Sequence, residues 1–116
     1  MMKKVIVLFL LLVNIPAQAA FVSGNDILDW LDSSNRVNNG SRTPKDLQKD
    51  DLLSGYIRGI ADMGKYDYFC PDTEVTAGQL INIVQKYINE NPKESHKSGA
   101  LLSTAALKNA FPCKEK

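Results

Sequence analysis

Thr76-Ala77-Gly78-Gln79-Leu80-Ile81-Asn82-Ile83-Val84-Gln85-Lys86-Tyr87-Ile88-Asn89-Glu90 carries a complete set of helix signals. Thr76 with Gln79 three residues on forms a capping box, each side chain satisfying a backbone N–H that the first turn leaves free. Leu80, Ile81, Ile83, Val84, Tyr87 and Ile88 then recur at helical spacing. The helix is predicted to stop at Asn89 or Glu90, ahead of Pro92. Asn91-Pro92-Lys93-Glu94-Ser95-His96-Lys97 is a polar loop, and a last helix follows over about Ser98 to Ala110, ended by Phe111-Pro112-Cys113. Ala100, Leu101, Leu102, Ala105, Ala106, Leu107 and Ala110 give that helix small and apolar residues suited to tight packing. The geometry expected is a hairpin of two antiparallel helices.

Two more helices are legible upstream. Thr43 is an N-cap, Pro44 suits the first helical position and Asp46 the first turn. Leu47, Leu52, Leu53, Tyr56, Ile57, Ile60 and Met63 carry this helix to about Gly64. Gly55 and Gly59 lie four apart within it, at a cost of about 1 kcal/mol each relative to alanine. The spacing predicts a packing notch for a neighbouring helix. Further back, Ser23 caps a helix over about Asn25 to Ser33, with Asp26 as its acidic first-turn partner and Ile27, Leu28, Trp30 and Leu31 on its apolar side. Asn35, Asn38, Asn39, Gly40 and Ser41 predict a loop from Ser34 to Arg42. Lys65 to Val75 is a connection holding Tyr66, Tyr68, Phe69, Cys70 and Pro71. No stretch shows convincing strand alternation. The fold class expected is all-α, a small bundle of four to five helices with one intrachain disulfide.

The start of the chain reads as a secretory signal peptide: Lys3 and Lys4, an apolar run from Val5 to Val13, then Pro16 and Ala17-Gln18-Ala19. Cleavage after Ala19 divides the sequence into a leader, 1–19, and one helical domain, 20–116. The apolar run is much shorter than the ~20 residues that span a bilayer, so no membrane association is expected after cleavage. The chain has 14 Lys and Arg against 13 Asp and Glu, two of the lysines in the leader. That balance lacks the basic face of a nucleic-acid binder.

Cys70 and Cys113 are the two cysteines. An even count behind a signal peptide reads as a disulfide in an oxidising compartment; two free thiols or an intermolecular bridge are the alternatives. An intrachain bridge would close more than forty residues, worth roughly 4 kcal/mol on the chain-entropy model.

Catalytic chemistry is not legible. The one histidine, His96, sits in a charged loop, and Ser95 and Ser98 beside it look like loop and cap residues. No Cys or His cluster has zinc spacing. Asp46, Asp50 and Asp51 read as a solvated helix face or a complement to the helix dipole. Gly55, Gly59 and Gly64 fall in or at the end of a helix, not in a phosphate-binding turn. No cofactor and no metal are expected. Asn39-Gly40-Ser41 matches a glycosylation sequon, a common chance match.

The ordered set Gly55-Tyr56-Ile57-x-Gly59, Phe69-Cys70-Pro71, Val75-Thr76-x-Gly78-Gln79, Val84-x-Lys86-Tyr87, Asn91-Pro92, Ala106-Leu107 and Phe111-Pro112-Cys113 resembles the Rap/Tai family of periplasmic immunity proteins. These protect bacteria against peptidoglycan amidase toxins delivered by type VI secretion. The resemblance spans about Leu53 to Cys113. It implies a small helical protein, often a homodimer, that covers the catalytic cleft of a cognate amidase, with Cys70 and Cys113 as the family's disulfide pair. Many members carry two further cysteines, where this chain has Trp30-Leu31 and Leu53.

An inhibitor of that kind needs a rigid scaffold, because preorganisation reduces the entropy lost on binding. Two surfaces are candidates for the partner: the loop Asn91, Lys93, Glu94, Ser95, His96 and Lys97, and the aromatic segment of Tyr66, Tyr68 and Phe69, whose rings are either binding anchors or core. The alternative function is a periplasmic acid-stress chaperone of the HdeA-like type, also small, helical and disulfide-bonded.

Overall fold

Among the described residues, three of the four α-helices open on a reciprocal pair of side chains that closes the first turn. The structure, a computed structural model, describes residues 21–115; the expected signal peptide over residues 1–19 and the expected mature start at Ala20 lie outside them. Ser23 Oγ accepts from the Asp26 N–H at 3.2 Å while Asp26 Oδ2 accepts from the Ser23 N–H at 2.8 Å, starting α1, Gly24–Asn38. Thr43 and Asp46 do the same for α2, Pro44–Gly64, and Thr76 and Gln79 for α3, Ala77–Glu90. Each box satisfies two donors that a helix start exposes, together worth about 1 kcal/mol or more. A 3-10 turn, Pro92–Glu94, lies in the connection to α4, Gly99–Ala110, whose first turn is capped by Ser98.

The first helix is longer than its composition predicts. Asn35 and Asn38 belong to α1, not to the expected 34–42 loop. Two tertiary causes override their turn preference. Ser33 and Ser34 are buried, and Arg36 is tied to Asp46 at the start of α2. The helix stops at a Schellman motif: the Ser41 N–H donates to the Arg36 carbonyl at 3.1 Å and the Gly40 N–H to the Val37 carbonyl at 3.3 Å. Gly40 takes the left-handed conformation this motif needs, with φ of 80°.

Helix α1 packs chiefly on α2, and α3 on α4; α2 links the two pairs through its contacts with both later helices. Ile27 and Leu31 of α1, Leu53 and Ile57 of α2, Leu80, Val84 and Ile88 of α3, and Leu102, Ala106 and Leu107 of α4 meet in one core. Phe69, from the connection after α2, is 2% exposed and belongs to it. The described residues contain no strand.

The packing notch expected at Gly55 and Gly59 is not used. Both glycines are exposed, and a Cβ added at either would find no atom of the described residues within 4 Å. Their period of four instead places them on the face of α2 opposite Leu53, Ile57 and Ala61, which the core occupies. Close approach occurs at Gly24 and Gly99. A Cβ at Gly24 would lie 2.6 Å from Leu102 Cδ1 and from the Ser95 carbonyl oxygen; at Gly99 it would lie 2.9 Å from Ile27 Cδ1.

Candidate functional site

The hairpin of α3 and α4 has two ends, and the sequence-predicted surfaces fall one at each. At the tip, the 91–97 loop is fixed from within and from below. The Asn91 side-chain amide donates to the Tyr87 carbonyl at 2.8 Å, extending the last turn of α3. Within the loop the Glu94 N–H donates to the Asn91 carbonyl and the Lys97 N–H to the Glu94 carbonyl, at 3.0 and 2.9 Å. Ser95 Oγ donates to the Pro92 carbonyl at 3.0 Å, and Lys97 and Glu94 form an ion pair. Below, the Gly24 N–H donates to the Lys97 carbonyl at 2.9 Å, and the Gly99 N–H to the Val22 carbonyl at 2.8 Å. The absence of side chains at Gly24 and Gly99 is what lets the loop sit down on the start of α1.

Order in the backbone leaves the side chains outside. Pro92, Lys93, His96 and Lys97 are exposed, and Asn91, Glu94 and Ser95 half-buried. The loop therefore presents a fixed ridge of ammonium and imidazole groups, with the Glu94 carboxylate paired to Lys97. Such a ridge recognises by hydrogen bonding and charge; it has no nucleophile with an orienting base.

The other end of the hairpin is held covalently. Cys70 and Cys113 are joined, with Cα atoms 4.8 Å apart, and the Cys70 N–H donates to the Phe111 carbonyl at 2.8 Å. The pairing ties the connection before α3 to the exit from α4. Just before it the chain makes a tight reversal: the Tyr68 N–H donates to the Gly64 carbonyl at 2.8 Å and the Tyr66 N–H to the Phe69 carbonyl at 2.7 Å. Of the three aromatic residues, Phe69 goes inward. Tyr66 and Tyr68 go outward, 67% and 59% exposed. Tyr66 has φ of 69°, a left-handed conformation that costs a non-glycine residue roughly 1 kcal/mol. Its ring carries the Lys65 ammonium at 5.1 Å from the centroid.

The two surfaces are thus separate. Helix α3 has 14 residues, a length of about 21 Å at 1.5 Å per residue, and it stands between them.

One feature close to α1 was not legible in the sequence. Asp46 is 5% exposed, where the sequence placed it on a solvated face or as a first-turn complement. It fulfils the second role, and it also receives Arg36 and Ser33. The Arg36 guanidinium, the Thr43 N–H and the Ser33 hydroxyl hold the Asp46 carboxyl well below the usual carboxylate range. Arg36 and Asp46 are ten residues apart in a run of turn formers, so no local spacing rule pairs them.

Among the described residues no three His, Cys, Asp or Glu side chains gather to hold a metal ion. No helix among them is long and apolar enough to cross a membrane. The described residues define a small four-helix domain, stapled by one disulfide, with ordered loops exposed at both ends of its last hairpin. The family model described as Rap1a immunity proteins matches residues 23–113, and the chain belongs to that family. It is therefore an immunity protein, whose partner is a cognate toxic effector. No curated protein matches the chain.

Proposed function

We propose that the chain is exported through a signal peptide cleaved after Ala19 and works in the periplasm as the immunity partner of a peptidoglycan amidase delivered by type VI secretion. It acts by binding, without catalysis of its own, and as a homodimer. The loop Asn91, Lys93, Glu94, Ser95, His96 and Lys97 enters the amidase cleft. Tyr66 and Tyr68, at the far end of the hairpin, meet the toxin outside that cleft, since about 21 Å of helix separates the two surfaces.

The observation that carries this reading is the order of the 91–97 loop. Its backbone is bonded to α3, to α1 and to itself, while Lys93 and His96 remain exposed. A loop already held in one shape loses little freedom on entering a cleft, and that saving appears as affinity.

The test is inhibition of the cognate amidase on purified peptidoglycan. The wild-type protein is expected to stop hydrolysis at a one-to-one ratio of protomers. The double variant K93A/H96A is expected to lose at least tenfold in affinity, about 1.4 kcal/mol, with an unchanged melting temperature. If it inhibits as well as wild type, the cleft assignment is wrong. If no amidase is inhibited at all, the amidase assignment falls while family membership stands.

A further inference from the structure

The 91–97 loop is held in two halves by different parts of the molecule. From Asn91 to Glu94 the bonds stay within the hairpin: the Asn91 amide donates to the Tyr87 carbonyl and the Glu94 N–H to the Asn91 carbonyl. From Ser95 onward the chain also meets α1. The Gly24 N–H donates to the Lys97 carbonyl at 2.9 Å, and Ser23 stands opposite Ser98 in an antiparallel bridge. A Cβ on Gly24 would lie 2.6 Å from the Ser95 carbonyl oxygen and 3.1 Å from the carbonyl carbon. Gly24 is buried and touches the backbone on both sides of His96, whose own side chain is exposed. Alanine would serve a helix better than glycine here. Leu102 Cδ1, also 2.6 Å from that Cβ position, is the end of a side chain and can turn aside; the Ser95 carbonyl belongs to the loop backbone and cannot.

We infer that Gly24 is a positioning residue for toxin recognition: it sets the backbone around His96, and leaves Lys93 to the hairpin itself. The inference rests on the reading that the loop enters the toxin's cleft, and it assigns the placing of the imidazole to the start of α1. Val22 completes the clamp. Its carbonyl accepts the Gly99 N–H at 2.8 Å, so the exit of the loop is fixed on the same short segment. Residues 22–24 thus take part in recognition without touching the partner. A carbon added at Gly24 pushes Ser95–Lys97 out of place, and the energy of restoring that shape on binding is lost from affinity. The same carbon leaves the Asn91–Glu94 half, with Lys93, where it was.

The experiment is a double-variant cycle in the amidase inhibition assay, on the mature protein with its disulfide intact. Gly24→Ala is expected to weaken inhibition by about threefold or more, and the loss to be coupled to His96. Added to His96→Ala it is expected to cost little further; added to Lys93→Ala the two losses are expected to multiply. Amide hydrogen exchange of the free Gly24→Ala protein is expected to speed up across Ser95–Gly99 and not at Glu94. A chain begun at Ser23 puts no new atom beside the loop and removes the Val22 carbonyl. It is expected to show the same coupling to His96, and it carries the cycle alone if Gly24→Ala does not fold. Ile57→Val, in the core of α2, is expected to lower the melting temperature and leave inhibition unchanged. A loss in Gly24→Ala of the same factor whether residue 96 is His or Ala, or no loss at all, overturns the inference and leaves the loop in the cleft. Weakened inhibition in Ile57→Val to the same degree makes the effect one of stability, and also overturns it. Wild-type inhibition by His96→Ala removes the imidazole from the contact, and overturns the inference together with that part of the cleft reading.

Discussion

Asp46 Oδ1 accepts from Arg36 Nη2 at 2.9 Å and from Arg36 Nε at 3.1 Å, so one carboxylate oxygen locks the last turn of α1 to the first turn of α2. Ser33 Oγ donates to the same oxygen at 3.0 Å, and the second oxygen takes the Thr43 N–H at 3.1 Å. The capping box and the inter-helix lock are the same side chain.

A pH dependence follows. Asp46 is held below its unfolded value, chiefly by Arg36, and an unfolded aspartate titrates near about 4. The unfolded chain therefore takes up the proton first as pH falls. The stabilisation is complete above about pH 5, and is lost progressively as pH drops below about 4 toward the folded value. Urea midpoints measured across this range are expected to decline on the acid side, and Arg36→Ala to flatten that decline.

Breaking the disulfide releases a loop of 43 residues. Cys70→Ser/Cys113→Ser is expected to lose about 2–4 kcal/mol, a large part of the stability of a small domain. Denaturant titration with unchanged far-ultraviolet dichroism checks it; a midpoint equal to wild type would show that the core alone holds the hairpin.

Ser103 of α4 lies in the core at 0% exposure, and its hydroxyl has no hydrogen-bond partner among the described residues. Removing it takes away an uncompensated polar group and little volume. Ser103→Ala is expected to raise stability by up to about 1 kcal/mol. A loss instead would mean that the hydroxyl is satisfied in solution.

Tyr66 is the reverse case, an exposed side chain on a strained backbone. Tyr66→Gly is expected to keep or raise stability, by up to about 1 kcal/mol, and to weaken toxin binding. Calorimetry of unfolding and of binding on the same variant reads both. Unchanged binding would remove the ring from the contact and leave its strain unexplained.

How far the sequence carries depends on the range of the interaction that decides each point. Caps are local, so Ser23, Thr43 and Thr76 mark three helix starts directly. The stripes around Val84 and Leu107 are local too, and they gave the hairpin. The end of α1 was not readable, because Arg36 and Asp46 act across a turn. Gly55 and Gly59 predicted a packing notch that the core does not use, because spacing alone cannot say which side of a helix the core will take; Gly24 and Gly99, each alone beside a cap, carried no such signal. Phe69 goes inward and Tyr66 and Tyr68 outward, a choice set by the turn after α2 and not by any sequence period. The ordering of the 91–97 loop depends on carbonyls of Tyr87 and Val22, groups that every residue has and no sequence pattern displays.

Gly24 and Gly99 make the loop above them replaceable in a particular way. Its grip on the scaffold runs through main-chain atoms, the Asn91 amide and two positions that admit no added carbon, while the Lys93 and His96 side chains are exposed above. Single exchanges at those outer positions can therefore change what the loop presents without retuning the interior. The crest of the loop can change one side chain at a time while the two glycines beneath it stay as they are.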